Sequence, residues 1–361
     1  MAEEGKVTQP LPEVIVLGPP SVFKTHGKEF SSRYRFLKPW KSPLPLPQFL
    51  TAQAQNTQAA LCAGFFSISA AVLRDLPSLR LIVTASAGLN HIDLIECRRR
   101  GIAVANAANV FSADVADLAM GLLLDLLRKI SAGNRYVRNG LWHKQGSYPL
   151  GYRGFIFITF LRQGKISGAG LDVFENKPYI PNEICELDGN VVLSPHNGVF
   201  TEESFGDLYE LLGGKQVGIV GLGSIGIEVA KRLESFGCRI SYYSRNKKPF
   251  VPYVFYPNIL KLAAMSDILV ICCALTEPYV PNELVTFLRQ GKIGGAGLDV
   301  FENEPYFPNE IRELDGIVVL SPHNGVFTEE SFGDLYELVA GNLEAFFGNM
   351  PLLSVVSEES F

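Results

Sequence analysis

The stretch QVGIVGLGSIGIEVAKRLESFGCRISYYSR, residues 216–245, decides the fold. It opens on a short β-branched run, QVGIV. Three glycines follow in G-x-G-x-x-G spacing, at Gly221, Gly223 and Gly226. EVAKRLESFG then carries apolar residues at helical spacing, and RISYYS returns to a strand pattern. Strand, tight turn, helix and strand make one β–α–β unit, which requires parallel strands. Each glycine has a separate task. Gly221 permits the turn, Gly223 lets the backbone approach a pyrophosphate, and Gly226 lets helix and strand pack closely. The helix N-terminus, at Ser224 and Ile225, offers N–H groups and the positive end of the helix dipole to phosphate. Glycine triplets also recur as purely structural turns. The strand before and the helix after favour dinucleotide binding here.

The second strand should end on the group that reads the ribose. An NAD site places Asp or Glu there, about 20 residues past the glycines. This strand ends Ser244-Arg245-Asn246-Lys247-Lys248, with no carboxylate. Arginine makes paired contacts with phosphate and lysine adds a point charge. The expectation is NADPH in preference to NADH, with solvated loop charges as the plainer alternative. Tyr243 and Lys247 imitate a catalytic Tyr-x-x-x-Lys spacing, but they straddle a strand end and so do not share a helix face.

Working outward, EVIVLG (13–18), residues 60–66, LRLIVTA (79–85), the strand in RRRGIAVANA (98–107), DILVICCAL (267–275), GAGLDV (295–300) and IVVLSPH (317–323) read as buried strands. Alternation with helices predicts an α/β fold, a doubly wound parallel sheet covered on both faces. Lys38–Pro47 holds four prolines and is expected to be extended loop. A helix is expected from an N-cap at Ser112 to about Ile130, apolar around most of its circumference and therefore buried between layers or subunits. A second long helix should open at Thr328, and residues 351–361 should fray.

An internal repeat complicates this order. Residues 159–211 recur at 286–338 with five changes in 53 positions: Ser167/Gly294, Lys177/Glu304, Ile180/Phe307, Cys185/Arg312 and Asn190/Ile317. Such near-identity is unlike a solenoid of diverged units. It reads as a recent segmental duplication or a misassembled gene rather than a functional repeat. A short echo, EPYVPNEL at 277–284, resembles EPYFPNEI at 304–311. Both full copies carry GAGLDV and VVLSPH, so they compete for one place in the sheet. The second copy follows the glycine turn in order and is expected to win. The loser would be poorly packed, with unpaired strand edges.

Composition sets the limits. The 361 residues are 47% hydrophobic and 19% charged, with net charge −5, which is ordinary globular chemistry and long enough for two domains. No basic excess points to nucleic acid. No apolar run approaches the roughly 18–20 residues of a membrane span. The opening MAEEGKVTQPLPE is neither a secretory signal nor a transit peptide, and the six cysteines lack C-x-x-C spacing. Reduced thiols and a cytosolic location are the expectation.

GLGSIG, GAGLDVFENEP and LSPHNG, with the upstream TASAGLNHIDL and DVADLAMGLLLDLLRK, resemble the D-isomer-specific 2-hydroxyacid dehydrogenases. Within them the chain resembles most the plant NADPH-dependent glyoxylate/hydroxypyruvate and hydroxyphenylpyruvate reductases. The resemblance implies a flavodoxin-like substrate domain from residues 1–107 and 325–361. It implies a Rossmann domain over 108–324, interrupted by the duplicated insert 152–212, and a homodimer. It makes His323 the general acid toward a 2-keto acid and Glu304 its carboxylate partner. It makes Ala87 and Gly88 a backbone anchor for the substrate carboxylate, and puts Trp142 near the pocket or in the core. It assigns the cofactor to Gly221, Gly223, Ser224, Ile225, Gly226, Ser244, Arg245, Asn246, Lys247 and Asp299.

Two departures bear on activity. The family carries an arginine in an Asn-x-x-Arg-Gly segment beyond Ala274-Leu275-Thr276. Here the chain passes from Thr276 to EPYVPNELVTFLRQGK without one, and Arg289 belongs to a later element. An arginine clamps a keto-acid carboxylate and helps polarise its carbonyl, so the loss predicts impaired turnover. The other departure is the insert, which carries His196 but has Lys177 where Glu304 stands in the second copy. The alternative reading is a catalytically inactive dinucleotide-binding product. An NAD-linked relative, such as a phosphoglycerate dehydrogenase, is a further rival.

Overall fold

The computed structural model describes residues 11–145, 169–171, 191–193, 212–273, 285–286, 288–290, 294–300, 304, 309–314, 317–326 and 328–356. The chain divides into two compact units, Met1–Asp114 with Val326–Phe361, and Val115–Gly325.

The first unit is built on five parallel strands: β1 (Glu13–Leu17), β2 (Arg35–Leu37), β3 (Ala59–Cys62), β4 (Leu81–Thr84) and β5 (Ala103–Ala105). Their order is β2-β1-β3-β4-β5, the flavodoxin-like arrangement. β3 and β4 are buried along their whole length, as a sheet covered on both faces demands. The helix Leu94–Arg100 shows how local chemistry sets its ends. Asp93 caps it by accepting the Glu96 N–H at 2.9 Å, three arginines complement its C-terminal dipole, and Gly101 closes it at φ +66°.

Two expectations for this unit are corrected. Lys38–Pro47 is not wholly extended. Pro39–Lys41 forms a 3-10 turn, and Pro47 sits in the first turn of the helix Leu46–Gln53. There a missing N–H costs nothing, because that donor has no partner inside the helix. Nor does the tail fray from residue 351. Val355 bridges Ala105, and the Val356 N–H donates to Val104 O at 2.8 Å. The fully buried Asn342, on the helix Glu329–Phe347, fixes the same segment. Its amide donates to Leu338 O and Ser354 Oγ, and its oxygen accepts the Leu353 and Ser354 N–H groups. That helix opens at Thr328 as expected, with Glu329 and Glu330 in its first turn and Thr328 Oγ1 accepting the Ser331 N–H.

In the second unit, β8 (Gln216–Val220), β9 (Arg239–Tyr243), β10 (Val254–Phe255) and β11 (Ile268–Ile271) form a parallel sheet in the order β10-β9-β8-β11. This is the first part of the Rossmann order. The helix Ser112–Arg128 already includes Ser112, so its cap lies earlier than expected. It ends where Lys129 turns left-handed, at φ +52°, ahead of the helix Ile130–Arg138. One stripe of it, Ala116, Met120, Leu123, Leu124 and Leu127, joins the core of the four-stranded sheet.

The two repeat copies do not compete. In the first copy β6 (Ala169–Leu171) pairs with β7 (Val191–Leu193). In the second β12 (Ala296–Leu298) pairs with β13 (Val318–Leu320). Among the described residues each pair is a separate two-stranded parallel sheet, and neither joins β11. The expectation that the second copy takes a place in the main sheet is therefore corrected. Each pair is set against its own helix. β12 runs beside Leu122 and Leu126, which crowd Gly297 and Gly295. β7 is tied to Asn134, whose side-chain oxygen accepts the Leu193 N–H at 3.1 Å. Lys177, His196 and the echo at 277–284 lie outside the described residues. No described helix is long and apolar enough to cross a membrane.

Candidate functional site: a glycine turn and a histidine–carboxylate pair

Because the strands are parallel and in register, Val220, Tyr243 and Ile271 end side by side. The chain reverses direction across the sheet between β8 and β11, and ligands of open α/β sheets bind outside such a switch point. Gly221 leaves β8 at φ +95°, and its N–H donates to Tyr243 O at 2.9 Å. A Cβ there would meet the Cys272–Cys273 backbone at 2.8–2.9 Å. A Cβ on Gly226 would strike the Gly221 carbonyl. Gly223 is different, because nothing lies within 4 Å of where its Cβ would be. It occupies the N-cap of the helix Ser224–Ser235, whose N-terminus has no side-chain cap and no acidic residue in its first turn. Open space, a helix N-terminus and the absence of competing carboxylate suit a dinucleotide pyrophosphate. Beside it, burial pushes the Cys272 thiol up to about 12, so it stays protonated at neutral pH.

Beyond β9 the chain folds back on itself. Ser244 Oγ donates to Asn246 O at 2.6 Å, and the Lys248 N–H donates to the hydroxyl of the fully buried Tyr242 at 2.8 Å. The bend leaves Arg245, Asn246 and Lys247 exposed next to the glycine turn.

His323 and Glu304 come together. His323 Nδ1 lies 2.7 Å from Glu304 Oε2, with the two side chains 49% and 32% exposed, accessible enough to meet a substrate. His323 follows β13 with φ +53°, a left-handed backbone that is uncommon for any residue but glycine. Asp299, which follows β12, turns toward the same loop. Its Oδ1 accepts from Ser321 Oγ at 2.5 Å and from the Asn324 N–H at 3.1 Å. Asn324 Oδ1 lies 2.6 Å from the same hydroxyl, a second acceptor beside Asp299. This network escaped sequence reading, because it joins residues more than 20 apart that only the β12–β13 register brings together.

Ala87 and Gly88 belong to the other unit. They follow β4 on an exposed loop whose peptide planes are fixed from behind. The Ala107 N–H donates to Ser86 O, and Asn106 Nδ2 donates to Ala87 O at 2.8 Å. Beneath the loop His91 Nε2 lies 3.0 Å from Thr84 Oγ1, and burial holds the imidazole below its ordinary pKa. Trp142 is 6% exposed and so packs in the interior. Among the described residues no group of His, Cys, Asp or Glu could hold a metal ion.

Fold and site together define a dinucleotide-binding α/β protein. Residues 33–357 match the model of the D-isomer specific 2-hydroxyacid dehydrogenase catalytic domain. The chain is 40% identical over 338 residues to a glyoxylate/hydroxypyruvate reductase of Arabidopsis thaliana, covering 86% of each protein. It is 34% identical over 356 residues to the hydroxyphenylpyruvate reductase of Plectranthus scutellarioides, covering 91% of this chain and 94% of that one. Among solved structures, the 2-hydroxyacid dehydrogenase of Ketogulonicigenium vulgare superposes with a TM-score of 0.74 at 25% identity, over 97% of this chain and 99% of the other. The chain belongs to the D-isomer-specific 2-hydroxyacid dehydrogenases, oxidoreductases that use a nicotinamide dinucleotide and act on CH–OH donors.

Proposed function

We propose that the protein reduces a 2-keto acid of the glyoxylate, hydroxypyruvate or hydroxyphenylpyruvate type to the D-2-hydroxy acid, with NADPH as reductant. The carrying observation is the 2.7 Å pair between His323 and Glu304 in the unit that holds the glycine turn. Gly221, Gly223, Ser224, Ile225 and Gly226 hold the pyrophosphate by backbone N–H groups. Ser244, Arg245, Asn246 and Lys247 receive the ribose and its 2′-phosphate, which supports NADPH over NADH. Asp299 borders the nicotinamide end. When bound, the cofactor supplies the hydride that adds to the keto carbon. Ala87 and Gly88 orient the substrate through its carboxylate. Glu304 holds Nδ1 of His323, so Nε2 is the nitrogen turned to substrate. As the carbonyl π bond breaks, Nε2 gives its proton to the oxygen, and the imidazole is reprotonated from solvent.

The unit containing Ala87 serves as the substrate domain, and Val115–Gly325 serves as the cofactor domain. A homodimer in the cytosol fits this reading. The absent Asn-x-x-Arg-Gly segment makes turnover slow. The test is oxidation of NADPH, and of NADH for comparison, by the purified chain with each keto acid. The expected result is turnover favouring NADPH that falls roughly 10²–10⁴-fold in His323→Ala. Equal rates in the two proteins, with cofactor still bound, would instead establish a non-catalytic dinucleotide-binding protein.

A further inference from the structure

Proton transfer by His323 requires that its ring be held in one orientation, yet the residue sits in a backbone region that histidine seldom occupies. Such a conformation persists only where neighbouring contacts over-determine it. Here the residues on both sides are fixed to one carboxylate. Ser321 Oγ and the Asn324 N–H both donate to Asp299 Oδ1, at 2.5 and 3.1 Å. Asn324 Oδ1 lies 2.6 Å from the same hydroxyl. The Ser321 N–H also donates to Leu298 O at 2.8 Å, which anchors the loop to the end of β12. Ser321 is 7% exposed and Asp299 is half-buried, so the hydroxyl–carboxylate bond is partly withdrawn from water, while Asn324 lies at the surface. His323 is thus the projecting residue of a loop pinned immediately before and after it.

We infer that Ser321, through Asp299, is a positioning residue that holds His323 in its left-handed turn with Nδ1 on Glu304. This deepens the acid role proposed above and rests on it. Asp299 then serves the acid loop as well as the cofactor side.

The experiment compares Ser321→Ala, Ser321→Thr and Asn324→Ala in the full chain, with far-ultraviolet circular dichroism to confirm folding. Four quantities are read: kcat and KM for the keto acid, NADPH affinity by fluorescence, and the long-range proton–nitrogen NMR correlations of the His323 imidazole. Ser321→Ala is expected to lower kcat roughly 10- to 100-fold, with KM and NADPH affinity little changed. In its neutral form the imidazole should pass from one tautomer, protonated at Nδ1, to a mixture. Ser321→Thr keeps the hydroxyl and should restore both signals. Asn324→Ala should give a smaller loss in the same direction. An unchanged kcat and imidazole in Ser321→Ala would overturn the inference. Equal damage in the Ala and Thr variants would do the same, because it indicates packing alone. If the unsubstituted chain shows no turnover, the proposed function fails. The imidazole signature still decides whether the clamp exists.

Discussion

At the scale of single residues, chemistry close in sequence was readable and chemistry made by register was not. The three glycines and the cationic end of β9 stood out through types and spacing, whereas the His323–Glu304 pair was expected only through the family resemblance. The Asp299 clamp did not, since nothing in SPHN signals that Ser321 faces a carboxylate from another strand. His91 is a second such case. Its burial against Thr84 and Cys62 disfavours the charged imidazole in the fold and holds its pKa below the ordinary value. Above the ordinary histidine value of about 6.5 both folded and unfolded chains are unprotonated there, and stability is unaffected. Below it the unfolded chain takes up a proton that the fold resists, so stability falls with falling pH. Thermal melts between pH 7 and pH 5 should show this decline, and His91→Gln should flatten part of it. An undiminished slope in the variant would assign the decline to other groups.

At the scale of elements, ends written in local sequence were legible. Thr328 opens its helix, and Arg98-Arg99-Arg100-Gly101 ends another. The Lys38–Pro47 stretch was misread because prolines that break a helix interior are welcome in a first turn. The tail was misread because Val104, which accepts the Val356 N–H, lies far away in sequence, and because residue type alone does not mark Asn342 as an anchor. β11 shows the cost of a missing neighbour. Among the described residues it hydrogen-bonds to β8 alone, and Leu269 and Ile271 are 44% and 60% exposed where a central strand should be covered. An apolar edge of this kind is a template for intermolecular pairing. The protein is expected to self-associate as concentration rises, seen by light scattering. Leu269→Lys should suppress that association while the fold persists. Scattering unchanged by the substitution would place the contact elsewhere.

At the scale of the whole molecule, the parallel-sheet α/β fold was foreseen from the alternation of strands and helices. The fate of the duplication was not. Competition was expected because both copies present the same strands, but the chain offers two successive helices and each receives one pair. The described cores of the five-stranded and four-stranded sheets draw nothing from 152–211, whereas Leu212 is 4% exposed within the second core. Removing 152–211 should therefore leave a protein that melts cooperatively and binds NADPH. Removing Leu212 as well should lower its melting temperature. A chain that fails to fold without 152–211 would show the insert to be structural. The duplication also acts as a control that the molecule runs on itself. Ala169 faces Val191 and Ala296 faces Val318, so the same alignment arises beside two unrelated helices. Strand alignment in this segment is thus a property of its own sequence, indifferent to neighbours. One copy can accumulate changes, as at Lys177, while the other keeps the carboxylate that meets His323.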